Sequence, residues 1–188
     1  HGGASPANLS TIDESAIAAA IYPSVPGGRA IWDAVQRLGV RSGAVLEPSA
    51  GVGHFVGLAP DAIRGDLKFA LVEKDSLTAA IAKALYPGAY TQASPFESAK
   101  LPKSHFVAAV SNVPFGNIPI TDALFQGPAF LRQRIHNYFF ARALDHVQPG
   151  GLVAFITTQG TSVSALSVGI IASIHAGLDE LVEVDILV

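Results

Sequence analysis

The sequence predicts an α/β protein built on a mostly parallel sheet with helices on both faces, and three observations carry that expectation. Short apolar runs alternate with segments of helical periodicity along nearly the whole chain. One run, Phe106 to Ser111, is apolar enough to be buried on both faces, as the strands of parallel sheets are. Another, Ala44 to Leu46, ends in an acid, Glu47, and gives way to the small-residue loop Pro48-Ser49-Ala50-Gly51-Val52-Gly53 and then to a segment able to start a helix. Gly51 and Gly53 can take backbone angles closed to other residues and let a ligand approach the main chain. A helix N-terminus adds unpaired N–H groups. Glu47 puts a carboxylate at the strand end, which suits a ligand carrying an amine.

Composition bounds the reading. With 188 residues, one domain is the natural expectation. Hydrophobic residues make up 49% and charged residues 14%, so the chain can fill a core and is not of the disordered class. A formal net charge of −3 offers no basic face for unaided nucleic-acid binding, so any grip on DNA must be local or come from another domain. There is no cysteine, and the histidines show no metal-binding spacing, so no metal is expected. No apolar run reaches membrane-spanning length and no signal peptide is visible, which makes the cytoplasm the default. The chain has no Met and begins His1-Gly2-Gly3, as expected of a piece of a longer polypeptide.

In chain order, His1 to Ser10 reads as a tail. Asp13 to Ile21 reads as a helix capped by Thr11 or Asp13, and Tyr22 to Gly28 as a loop. Arg29 to Leu38 is an amphipathic helix with Ile31, Trp32, Val35 and Leu38 on one stripe, stopped by Gly39. Residues 1–40 are thus expected to form a tail and helices packed on a core of residues 41–188. Within that core Leu67 to Glu73 is a second strand, Asp75 to Leu85 a helix and Ala89 to Ala93 a third strand, followed by the fourth at Phe106 to Ser111. Asn117 to Gln126 shows no period and is expected to be a mobile loop. Leu131 to Val147 reads as a long helix, Leu152 to Thr158 as a fifth strand, Ser164 to Ala176 as a helix and Leu181 to Val188 as a C-terminal strand.

Glu73 closes the second strand, where an acid can accept both hydroxyls of a ribose. With the first glycine loop this points to an adenosine-type ligand. A nicotinamide cofactor fits less well, since Val56 stands where its fingerprint needs a third glycine. A plain glycine turn is the competing structural reading. Directly after the fourth strand comes Ser111-Asn112-Val113-Pro114-Phe115-Gly116. An exocyclic amine on a base is a poor nucleophile because its lone pair is delocalised. The Asn112 side-chain oxygen can accept one of its N–H groups and the Val113 carbonyl the other, freeing the lone pair for attack. Pro114 biases Val113 toward an extended conformation that aims this carbonyl. Phe115 offers a face on which a base can stack. An Asx turn leaving a strand is the structural alternative.

The stretch Glu47 to Phe55 resembles motif I of S-adenosylmethionine-dependent DNA amino-methyltransferases. Val72-Glu73-Lys74-Asp75 resembles their motif II, and Gln92 to Glu97 falls where motif III lies. Asn112-Val113-Pro114-Phe115 resembles the N-P-P-F/Y motif IV, with Val113 in place of the first proline. Together with Ile135 to Leu144 and Pro149 to Thr158, the pattern is similar to the methylase part of the large helicase–methylase proteins of phages, plasmids and integrative elements, some linked to antirestriction. The order of motifs is that of γ-type N6-adenine enzymes. The resemblance implies a Rossmann-like class I methyltransferase with sheet order 3-2-1-4-5 plus a C-terminal strand. It implies S-adenosylmethionine held by Tyr22, Glu47, Ser49, Gly51, Gly53, Glu73, Lys74, Phe96 and Glu97, and adenine in DNA served by Asn112, Val113, Pro114 and Phe115. Partner domains such as a helicase or target-recognition module are expected. A protein glutamine amide as acceptor, or a non-catalytic cofactor-binding module of a larger protein, are the rival readings. Phe96 could equally be core. Trp32, Tyr138, Phe139 and Phe140 are expected to be core, and His54 to serve packing.

Overall fold

The computed structural model describes residues 24–114, 116, 118–123, 125, 132, 134–158, 166–172 and 184–186. The expected helix at Asp13 to Ile21, Tyr22 and Phe115 lie outside them. Strands β1 (Gly43–Glu47), β2 (Leu67–Glu73), β3 (Tyr90–Ala93), β4 (Phe106–Asn112) and β5 (Val147–Thr158) are parallel, in the order 3-2-1-4-5 that the sequence predicts. Two further strands, β6 (Leu166–Ala172) and β7 (Val184–Ile186), extend this sheet antiparallel beyond β5.

One face of the sheet carries α1 (Ser24–Arg37), α2 (His54–Leu58), α3 (Asp61–Arg64) and α4 (Ser76–Leu85). Their core contains Ile31, Trp32, Val35, Phe55, Ile63 and Ala82 against Val45, Leu71, Val110 and Ile156. The opposite face carries α5 (Ile135–His146), whose Tyr138, Phe139 and Ala143 pack with Phe96, Phe125, Val113 and Phe155. Asp75 caps α4, its carboxylate accepting from the Thr78 N–H at 2.7 Å and the Thr78 hydroxyl at 2.6 Å.

Four sequence expectations change. Helix α1 begins at Ser24, within the segment expected to be a loop. Pro26 falls in its first turn, where a missing N–H costs no helical bond. Gly27 and Gly28 are there for close packing: a Cβ would stand 2.8 Å from Ile156 Cδ1 at the first and 2.6 Å from Leu58 Cδ1 at the second. The helix ends before Leu38, which is 56% exposed and not part of the buried stripe.

Helix α5 starts at Ile135 rather than Leu131, and β5 begins at Val147, directly after it. The strand runs through Pro149-Gly150-Gly151 because its pairing with β4 shifts between Phe106↔Val147 and Ala108↔Leu152. Gly150 supplies φ +80° for this irregularity, and a Cβ on Gly151 would lie 2.8 Å from the Val107 carbonyl oxygen.

Of the expected helix Ser164 to Ala176, the described residues Leu166–Ala172 are instead strand β6, paired with β5 from Leu152↔Ala172 to Thr158↔Leu166. Val168, Ile170 and Ile171 are β-branched and favour a pleated partner over a helix. Within the segment expected to be a mobile loop, three described residues make contacts. The Ile120 N–H donates to the Arg132 carbonyl at 2.9 Å, Phe125 is buried against Tyr138, and Asp122 is buried.

Asp122 Oδ2 accepts from the Tyr138 hydroxyl at 2.6 Å and lies 3.2 Å from Arg142 Nε. Arg142 also reaches Asp145 at 3.1 Å. Among the described residues, no helix is long and apolar enough to cross a membrane.

Candidate cofactor and acceptor site

In an open α/β sheet the crevice for a ligand lies past the carboxyl ends of the strands, where the order reverses. Here that point falls between β1 and β4, which are neighbours. A cavity of about 180 Å³ sits there, lined by Glu47, Ser49, Ala50, Gly51, His54, Phe55, Glu73 and Asn112. It therefore joins the ends of β1, β2 and β4 with the start of α2.

The loop after β1 is shaped by its glycines. Gly51 has φ +54°, and Gly53, at the N-cap of α2, has φ +85°. Gly53 is also a close-approach position, since a Cβ would lie 2.6 Å from Tyr86 Cε2. The loop is tied to β2 through the Ala50 N–H, which donates to the Val72 carbonyl at 3.0 Å. Glu73 strengthens this tie: Oε2 accepts from the Gly51 N–H and Oε1 from the Asp75 N–H, both at 2.8 Å. Each carboxylate oxygen retains a second acceptor site for a ligand hydroxyl.

Glu47 has a different environment. It is 1% exposed, and its Oε1 accepts one long bond, 3.4 Å, from the Phe55 N–H. Its Oε2 is buried with no hydrogen-bond partner among the described residues. Burial pushes its carboxyl well above the ordinary range, the Phe55 N–H pulls it back, and the nearby Glu73 carboxylate pushes it further up. A second orphan faces the same cavity: Asn112 Oδ1, at the end of β4, is buried and has no partner among the described residues. Buried acceptors are rarely left unmade in a folded chain, because each costs about 1–3 kcal/mol. Two of them lining one cavity point to donors brought by ligands.

The two loops are joined directly. The Ser111 hydroxyl donates to the Ser49 carbonyl at 3.2 Å, and Ser111 is fully buried. The Val113 N–H donates to the Ile156 carbonyl at 3.3 Å, which continues the pairing of β4 with β5 one residue into the acceptor loop. Val113 itself is 1% exposed and anchors that loop in the core, while Pro114 is half-buried beside it.

The cavity thus brings together Glu47, Ser49, Gly51, Glu73 and Asn112 among the residues singled out from sequence. It does not include Phe96, whose ring lies 5.1 Å from that of Phe139 and 5.9 Å from that of His146, with only 3% of the residue exposed. Of its two readings, the structure has the core one. Lys74 is exposed and outside the cavity, and Glu97 is half-buried on the 3₁₀ turn Phe96–Ser98, electrostatically coupled to Tyr138.

Three features escaped the sequence. His54 lines the cavity rather than serving packing alone, a position that its place right after Gly53 signals. Ser111 ties the loops. The buried group of Asp122, Tyr138 and Arg142 links residues too far apart in sequence for any local pattern to join them.

No family model matches the chain. It is 33% identical over 137 residues to the "Defense against restriction protein B" of Escherichia phage P1, an alignment covering 72% of this chain and 6% of that protein. The chain therefore spans a small part of the length of the curated relative it matches. Among solved structures it is similar to a protein-L-isoaspartate O-methyltransferase, with a TM-score of 0.57, 15% identity, and 86% and 44% of the two chains covered. DesVI of Streptomyces venezuelae matches with a TM-score of 0.53 and 17% identity over 89% of this chain and 72% of the other. The fold is that of class I S-adenosylmethionine-dependent methyltransferases.

Proposed function

We propose that the chain is a methyltransferase domain that uses S-adenosylmethionine to methylate the exocyclic N6 amine of adenine in DNA. The observation that carries the reading is the pair of orphaned buried acceptors, Glu47 Oε2 and Asn112 Oδ1, lining one cavity at the reversal point of the sheet. They match a cofactor with an ammonium group and an acceptor with an amine. Bound S-adenosylmethionine supplies a methyl group on a sulfonium, an electrophile that needs no metal.

The chain's own residues do the rest. Glu73 accepts ribose hydroxyls while keeping its bonds to the Gly51 and Asp75 N–H groups. Gly51 and Gly53 let the ligand lie against the main chain. Glu47 accepts from the cofactor's ammonium. Asn112 Oδ1 and the Val113 carbonyl accept the two N–H bonds of the target amine, which turns its lone pair out of conjugation and toward the methyl. The base must leave the helical stack to reach Asn112, and Phe115 then stacks on it. The Ser111–Ser49 bond holds the two loops in register, and such orientation is worth about 7–11 kcal/mol of barrier for well-placed reactants.

DNA as the acceptor is supported by the name of the phage relative, which concerns defence against restriction. The net charge of −3 is unfavourable for independent binding to a polyanion, so partner domains such as a helicase or target-recognition module supply most of the grip. A glutamine amide presents the same planar N–H pair to Asn112. The test is transfer of labelled methyl from S-adenosylmethionine to adenine-containing DNA and, in parallel, to protein acceptors, by the wild type and Asn112→Ala. Label in N6-methyladenine, lost in the variant while cofactor binding persists, is expected. Label in protein alone would replace the acceptor. Cofactor binding with no transfer in the presence of partner domains would leave a binding module.

A further inference from the structure

Glu47 is in an unusual state for a carboxylate. It is 1% exposed and, among the described residues, holds one 3.4 Å hydrogen bond and has one oxygen without a partner. None of the described residues lining its cavity is Lys or Arg, and the other acid there, Glu73, already takes two N–H groups at 2.8 Å. An isolated charge at such a place is strongly disfavoured, and a buried carboxyl escapes that cost by keeping its proton. We propose that Glu47 is a neutral carboxylic acid in the empty site and that the ligand's ammonium group converts it to a carboxylate, so that binding releases one proton to solvent.

The step balances. The Glu47 O–H bond breaks, its electron pair stays on the oxygen, the proton passes to water, and the new carboxylate accepts a hydrogen bond from the ammonium. The inference rests on the cofactor reading above and adds a selection rule to it. The site costs little to keep neutral when empty, and only a ligand with a cation at this point makes ionisation favourable. Adenosine compounds without the amine leave Glu47 neutral and bind more weakly.

The direction of the carboxyl's shift agrees with the geometry, burial being its largest cause. The charged and titratable groups facing Glu47 are few. Glu73, from β2, opposes a second negative charge. His54, from the start of α2, lines the same cavity. From β4 the facing residue is Asn112, which does not titrate.

The sign of the linkage follows. A ligand that selects the ionised form binds more tightly as pH rises, until the empty site is already ionised or the ligand's own ammonium, at about pH 8, begins to lose its proton. Calorimetric titration in buffers of different ionisation heat counts the protons released. S-adenosylmethionine and S-adenosylhomocysteine share the ammonium, only the first carries the sulfonium, and 5′-methylthioadenosine carries neither. In the wild type the first two are expected to release protons at a pH above the ordinary carboxylate range and below the raised one of Glu47, and the third none.

Glu47→Gln keeps the shape of the side chain and removes the titration. It is expected to release no proton, to show affinity flat with pH below the ligand ammonium's own titration at about pH 8, and to bind the first two ligands about 10- to 100-fold more weakly. His54→Gln is expected to keep the proton release, which separates the two titratable groups. Binding of both amine-bearing ligands without proton release, or release that survives Glu47→Gln, overturns the proposal and leaves the cofactor reading intact. Release with the sulfonium ligand alone overturns the role of the ammonium. Failure of all three ligands to bind overturns the cofactor reading and this inference with it.

Discussion

Asp122→Ala tests how the segment after the acceptor motif is held. Asp122 is 3% exposed and its Oδ2 serves both the Tyr138 hydroxyl, at 2.6 Å, and Arg142 Nε, at 3.2 Å. Removing one member of a buried ion pair costs about 3–5 kcal/mol, because the survivor stays buried and charged. Arg142 keeps Asp145 at 3.1 Å, which favours the lower end. The Tyr138 hydroxyl loses its acceptor, adding about 1 kcal/mol. The sum is about 4 kcal/mol, a large part of the 5–15 kcal/mol that typically holds a domain. Urea unfolding followed by circular dichroism reads this directly. Amide exchange at Ile120, whose N–H is bonded to the Arg132 carbonyl, reads the local loosening. The double variant Asp122→Ala, Arg142→Met should recover most of the loss, since it removes the stranded charge. A loss below about 1 kcal/mol in the single variant, or no recovery in the double, would refute the reasoning.

Gly51→Ala and Gly53→Ala should differ. Both need positive φ, costing about 1–2 kcal/mol, but only at Gly53 does the new methyl strike a neighbour, Tyr86, so thermal unfolding should drop further for Gly53→Ala. Glu47→Gln should be no more stable than wild type at low pH and progressively more stable above it. The folded carboxyl keeps its proton where the unfolded chain, at about pH 4.3, has lost it, so the wild type loses stability as pH rises between those points. Melting curves at about pH 4 and pH 8 check this, and a constant difference would contradict it. Ser111→Ala should slow single-turnover methylation more than it weakens cofactor binding, because it frees the acceptor loop from the Ser49 carbonyl. Equal losses in both would mean a bond that merely stabilises the cofactor loop.

The sheet was legible because β1, β2 and β4 are short apolar runs with a polar end, marked by Glu47, Glu73 and Asn112. A parallel sheet gathers its strand ends on one edge, which is why the residues singled out at those ends line one cavity. What escaped the sequence had non-local causes. Gly27 and Gly28 read as loop residues until Ile156 and Leu58 are seen against them. The stretch Leu166 to Ala172 has an apolar pattern open to helix or strand, and its pairing with β5 decides. Phe96 sits beside motif-like residues, yet Phe139 and His146 claim its ring from the far side of the sheet.

The bond between the Ser111 hydroxyl and the Ser49 carbonyl also constrains how such a chain can diverge. The two ends contribute unequally. At position 49 the main chain accepts, so its side chain can change without touching the bond. At position 111 the side chain itself donates, and it is fully buried. Descendants of this sequence are therefore free to rewrite the donor loop but are held to a small hydroxyl on the strand that carries the acceptor. The strand position, and not the glycine loop that announces the family to the eye, is where drift should be slowest.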